Sequence, residues 1–92
     1  MTGRDKLMLI VGRYGLTFET YSALIIKQAG RCAACGGAED NLEIDHCHQR
    51  GKKHVRGLLC HPCNSTLGHA REDVHRLLSL IDYLHAHSIP QE

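Results

Sequence analysis

Two C-x-x-C pairs constrain this chain more than any other feature. Cys32 and Cys35 form the first, Cys60 and Cys63 the second, and residues 36–59 lie between them. Two cysteines three apart on a tight turn aim both sulfurs at one point. Two such turns supply the four soft ligands of a tetrahedral zinc site. A redox C-x-x-C stands singly beside a βαβ pattern, which is absent here. A closed set of four thiolates leaves the ion no open position, so the Zn²⁺ is expected to be structural. Its loss should unfold much of the domain. Cys47 and His61 are alternative ligands at poorer spacing.

Length makes such a staple physically reasonable. The 92 residues make one small domain, and the bulky core-fillers are few: three Tyr, one Phe and no Trp. A chain of this size buries a modest core and is commonly reinforced by a metal or by disulfides. The cysteine count is five, an odd number, and four of them stand in knuckle spacing. That argues against a disulfide framework. The apolar run Leu7–Val11 is too short to span a membrane or to form a secretory core. The expectation is a protein of the reducing cytoplasm, where thiolates persist, with no membrane partner.

The formal net charge of +1 does not by itself identify a nucleic-acid partner. Its distribution is more informative. Arg50, Lys52, Lys53 and Arg56, with His54 among them, make a local basic stretch that follows the acidic group Glu39, Asp40, Glu43 and Asp45. A basic loop can bind phosphates even on a near-neutral chain. An ordinary solvated turn carries the same residues.

In order, Leu7–Val11 reads as a short strand or a helical turn, and also as half of a homodimer contact. Thr17 is an N-cap, Leu16 and Tyr21 stand at staple positions, and Gly30 is a stop, which predicts a helix from about Phe18 to Ala29. Leu42, Ile44 and His46 alternate with Glu43, Asp45 and Cys47, predicting a strand. Arg50-Gly51-Lys52-Lys53 is the turn, and His54–Leu58 returns as a second strand. A short helix opens at Asn64. Asp73 caps a longer one whose Val74, Leu77, Leu78, Ile81 and Leu84 form one apolar stripe. Residues 1–12 are read as an N-terminal segment and 13–92 as a single domain.

Asp45, His46, His48 and Asn64 suggest a second site. Phosphodiester hydrolysis needs an activated water and a cation at the phosphate and leaving oxygen. A neutral imidazole accepts a proton near pH 7. A carboxylate and an amide oxygen are hard ligands that suit Mg²⁺. If the cage holds Cys60 and Cys63 near the hairpin, Asn64 lies close to the strand bearing Asp45 and His46. Each residue also has a plainer use: Asn64 as a helix cap, Asp45 as a partner for Arg56, His46 as a structural strand residue.

At these residues the chain resembles the recombination endonuclease VII family of phages and bacteria, within the H-N-H, or His-Me finger, nucleases. The matching stretches are RYGLTFETYSALIIKQAGRCAACG, LEIDHCH, VRGLLCHPCNSTLG and the helix ending IDYL. The resemblance implies a small α+β fold, a zinc-stapled ββα-metal core with flanking N- and C-terminal helices. It implies that Asp45 and Asn64 hold a divalent metal, Mg²⁺ or Mn²⁺. His46 matches the general base, and His48 a second active-site histidine. Arg56 falls at a phosphate contact, and Arg50, Lys52 and Lys53 on the DNA-binding turn. The implied activity is nicking or branched-DNA cleavage of a DNA substrate, duplex or branched, in a bacterial or phage-infected cell. A non-catalytic zinc-ribbon module that binds nucleic acid is the alternative. Cys47 stands where the family carries an acid, and the turn Gln49–His54 is longer and more basic than the family's. The resolvase that names the family continues into further helical sequence, so the resemblance carries cleavage chemistry further than junction specificity.

Overall fold

In the computed structural model, residues 3–87 are described. The chain is a small α+β protein of four helices and one two-stranded antiparallel sheet. Helix α1 (Gly3–Arg13) precedes α2 (Phe18–Gln28), strands β1 (Glu43–His46) and β2 (Val55–Leu59), α3 (His61–His69) and α4 (Val74–His87).

Leu7–Val11 belongs to α1, which runs on through Gly12. Val11 is buried there, and its carbonyl accepts the N–H groups of Tyr14 and Leu16. The turn into α2 passes through Gly15 in the left-handed region (φ 75°), where a side chain would press on Lys53 of the hairpin turn. Helix α2 starts as its sequence dictates. The Thr17 hydroxyl takes the Thr20 N–H, and the Thr20 hydroxyl takes the Thr17 N–H, a capping box with a hydroxyl where Glu or Gln is usual. It ends with two left-handed residues in succession, Ala29 (φ 53°) and Gly30 (φ 69°). The Gly30 N–H then returns to the Ile25 carbonyl at 3.0 Å, as in a Schellman ending.

The sheet pairs Glu43 with Leu59, Ile44 with Leu58 and Asp45 with Gly57. The register then shifts, and His46 pairs with Val55. Arg56 is therefore the extra residue of a β-bulge, a device that re-aims side chains at a strand's end. Helix α3 follows β2 directly and begins at His61, three residues before Asn64, with Pro62 in its first turn. The Asp73 carboxylate takes the N–H groups of His75 and Arg76 and caps α4 as expected.

Burial concentrates at the cysteines. Cys32, Leu59 and Cys60 form the central cluster, with Leu42, Cys63 and Leu67 packed on it. Leu58 is fully buried. A core this limited stabilises weakly by apolar burial, and a bound metal would reinforce it at its centre.

Candidate metal centre and active site

Each knuckle is built by its own backbone. The Cys32 N–H bonds to the Gly37 carbonyl, and the Gly36 N–H (φ 75°) bonds to that of Cys32, which closes the first turn. The N–H groups of Ala34 and Cys35 then point at the Cys32 sulfur, and that of Gly37 at the Cys35 sulfur. The second knuckle is the junction of β2 and α3. The Ala33 N–H bonds to the Leu58 carbonyl and brings the two together.

The four sulfurs of Cys32, Cys35, Cys60 and Cys63 lie within 4.8 Å of one another. Those of Cys35 and Cys60 are 3.8 Å apart. A tetrahedron with Zn–S bonds of about 2.3 Å has edges of about 3.8 Å, so the set fits zinc. Among the described residues no other group of three or more His, Cys, Asp or Glu side chains comes together this way, and neither Cys47 nor His61 joins the cluster. Burial works to raise the Cys32 thiol, but the N–H groups of Cys35, Cys60 and Ala34 outweigh it and bring it down to about 6. Cys63 is pushed up to about 12, first by the Cys60 sulfur, then by burial and the other thiols. The surroundings thus favour the thiolate at Cys32 and the thiol at Cys60 and Cys63. A divalent cation removes that conflict.

The residues expected to do chemistry fall into two groups. Asp45 is buried, and Arg56 grips it with two bonds of 2.8 Å, Nε to Oδ2 and Nη2 to Oδ1. The same Nη2 donates to Glu72 Oε1 at 2.6 Å. Asp45, first of all, holds the Arg56 guanidinium in its charged form, against burial and with help from Glu72. Glu72 also lies 3.7 Å from His48 Nε2. His48 stacks on His46 with ring centroids 4.7 Å apart, and the other neighbour of His46 is Tyr14 at 5.6 Å. His48 lies in the turn just past the end of β1, and the ring stack puts the two histidines side by side. Asp45, Arg56, Glu72, His48 and His46 thus form one chain of contacts, beside a cleft of about 520 Å³ that His48, Arg56, Arg71 and Glu72 help to line.

Asn64 belongs to the other group. From the first turn of α3 its Nδ2 donates to Glu43 Oε1 at 3.0 Å. Glu43 also meets His61 Nδ1 at 3.0 Å. The Asn64 bond, ahead of opposing burial and with His61 adding, holds the Glu43 carboxyl below its usual range. Glu43 and Asn64 line a different cleft, of about 440 Å³, with Tyr14 and Ile44. No hydrogen bond or ion pair joins the side chains of Asp45, His46 and Asn64 among the described residues. Glu43 and Asp45 do share one face of β1, two residues apart. Taken singly, each side chain has an atom that could ligate a hard cation: each Asp45 oxygen keeps a lone pair beyond its Arg56 bond, and the Asn64 Oδ1 makes no hydrogen bond among the described residues.

On the hairpin turn, Arg50 meets His54 at 3.2 Å, and Lys52 and Lys53 are exposed. In the sequence Glu72 stands out in no way, Gln28 is a helix position, and Glu43 is a strand position within an acidic group. No local pattern marks them, because their partners lie far along the chain.

Residues 8–86 match the family model for recombination endonuclease VII. Two phage proteins are similar. The Gene 59 protein of Mycobacterium phage D29 is 44% identical over 79 residues, and that of Mycobacterium phage L5 is 40% identical over the same length. Each match covers 82% of this chain and 47% of the relative, so the chain spans about half the length of the curated relatives it matches. No solved structure matches it. With its paired knuckles, its hairpin bearing Asp45 and His46, and Asn64 at the start of α3, the chain belongs to the recombination endonuclease VII family.

Proposed function

We propose that this chain is a metal-dependent DNA endonuclease of the H-N-H, or His-Me finger, type, acting on duplex or branched DNA in a bacterial or phage-infected cell. The observation that carries the reading is a placement. Asp45 and His46 end β1, Asn64 lies in the first turn of α3, and the Asn64–Glu43 bond docks that helix on that strand, in a chain of a nuclease family.

In this reading Zn²⁺ on the four cysteines is structural. Asp45 and Asn64 would hold Mg²⁺ or Mn²⁺, which when bound supplies positive charge at the scissile phosphate and its leaving oxygen. His46 takes the proton of the attacking water as general base. Its ring is held between Tyr14 and His48, which fixes the direction in which it accepts. His48 stands beside the phosphate. Arg56 holds Asp45 with Nε and Nη2 and keeps Nη1 for a phosphate oxygen. Arg50, Lys52 and Lys53 contact the backbone on either side, so binding is salt-sensitive. Two copies associate through the exposed stripe of α4, since a two-fold contact needs only one self-complementary patch.

The test is cleavage of matched linear, nicked and four-way-junction DNA with Mg²⁺, wild type beside His46→Ala, both free of host nucleases. Loss of the base should slow cleavage by about 10²–10⁴-fold. Cleavage by His46→Ala at the wild-type rate would refute the assignment.

A second reading, a non-catalytic zinc module that binds nucleic acid, draws on one observation. Both Asp45 oxygens are engaged by Arg56, which lines a cleft separate from that of Asn64. DNA binding without turnover in Mg²⁺ or Mn²⁺ would establish it.

A further inference from the structure

We infer that Glu43 is a positioning residue that decides which end of the Asn64 amide faces the catalytic cation. The inference rests on the reading of Asn64 as a metal ligand. It goes beyond that reading by assigning a role to a residue outside the ligand set.

An Asn amide is nearly symmetric in shape and opposite in chemistry at its two ends. Oδ1 can ligate a cation, whereas Nδ2 presents two N–H groups that repel one. A freely turning Asn64 would offer the wrong end part of the time. Glu43 removes that ambiguity because an ionised carboxylate only accepts. It therefore takes Nδ2, at 3.0 Å, and leaves Oδ1 turned away.

Glu43 is itself held from both sides. Its backbone is the first residue of β1, paired with Leu59, the residue before Cys60. Its carboxylate meets His61 Nδ1 at 3.0 and 3.3 Å. His61 and Asn64 are three apart on α3, the spacing that puts two side chains on one helix face. Both reach the same carboxylate, so the pair clamps it. The order Leu59, Cys60, His61, Cys63, Asn64 interleaves cage residues with clamp residues. The cysteine cluster thus fixes the clamp, and the clamp fixes the amide. Glu43 also shares a strand face with Asp45, the other proposed ligand.

The experiment titrates zinc-loaded protein with Mn²⁺ alone, followed by electron paramagnetic resonance, with cleavage rate as a second readout. Zinc content and thermal melting are checked for each variant. Glu43→Leu removes the acceptor and should weaken Mn²⁺ binding by about 10–100-fold, the usual effect of losing a ligand's orienting partner. Glu43→Gln offers Asn64 either an oxygen or an NH₂ group and so restores part of the ambiguity; it should weaken Mn²⁺ binding, though less than Glu43→Leu. Should Glu43→Leu not fold, Glu43→Asp, one methylene too short to reach Asn64, takes its place with the same expected loss.

A Glu43→Leu protein that binds Mn²⁺ within twofold of wild type, while Asn64→Ala does not, overturns the positioning role and leaves the nuclease reading standing. A Glu43→Gln protein that binds Mn²⁺ like wild type also overturns it, because an acceptor-only carboxylate is then not what sets the amide. If Asn64→Ala binds Mn²⁺ and cleaves DNA like wild type, the ligand reading falls and this inference falls with it.

Discussion

At the scale of single residues, buried polar groups carry the specificity of this fold. The Gln28 side chain acts like a piece of backbone. Its Nε2 donates to the carbonyls of Leu58 and Arg31, and its Oε1 accepts the Leu58 N–H at 2.9 Å. It thereby ties α2 to β2 beside the cage. Gln28→Ala leaves the N–H of a fully buried residue without a partner and should cost about 1–3 kcal/mol in urea unfolding of the zinc-loaded protein. A loss below a few tenths would mean that water replaces the contact. Asp45 presents the complementary case. Its side chain is 8% exposed, and Arg56 meets it with a planar fork. Arg56→Met strands that carboxylate and should cost about 2 kcal/mol, the figure for a bond to a charged group, kept moderate because Arg56 is itself 39% exposed. Arg56→Lys should recover only part, since an ammonium cannot make both bonds. Equal melting of the Lys variant and wild type would show that charge alone suffices. Glu72 reaches this pair from a turn in which Arg71 and Glu72 both adopt positive φ (55° and 57°). Such residues cost about 1 kcal/mol or more each. The bond to Arg56 offsets part of that strain.

At the scale of elements, each helix obeys local rules, and α4 shows where those rules stop. Asp73 caps it, and its apolar residues recur at helical spacing. Periodicity of this kind normally marks a core-facing side. Leu77 is half-buried, yet Val74, Leu78, Ile81 and Leu84 are all about half exposed or more, as are Leu80 and Tyr83. The stripe is real, and no other described part of this chain covers it. Exposed apolar patches of this kind mark association surfaces. The double variant Leu78→Lys/Leu84→Lys should therefore fold with unchanged helical content, because the two side chains face solvent within one copy, and lose only the stability that association adds. Sedimentation velocity should show wild type as a dimer and this variant as a monomer. A monomeric wild type at tens of micromolar would remove α4 as a self-association surface.

For the whole molecule, the cysteine cluster is where α2, the sheet and α3 are joined. Gln28 brings α2 to β2, Ala33 brings the first knuckle to β2, and the second knuckle runs into α3. Stripping zinc with a strong chelator should abolish most helical circular dichroism in one cooperative step, and adding it back should restore it. A chelated protein that melts like the loaded one would show that apolar burial alone suffices. The sequence by itself determined what spacing and caps can encode: the paired knuckles, the hairpin, the limits of α2, the cap of α4, and the family. For the proposed active site it offered candidates, each with a plainer use beside it. The tertiary structure decided the rest. It merged the undecided Leu7–Val11 run into a full helix, placed a bulge at Arg56, and brought Glu72 and Glu43 to the site. The physical reason is range. A cap or a knuckle is satisfied within a few residues. A buried carboxylate or a half-buried amide is satisfied by whichever partner the closed fold delivers, and here Asp45 received Arg56 while Asn64 received Glu43.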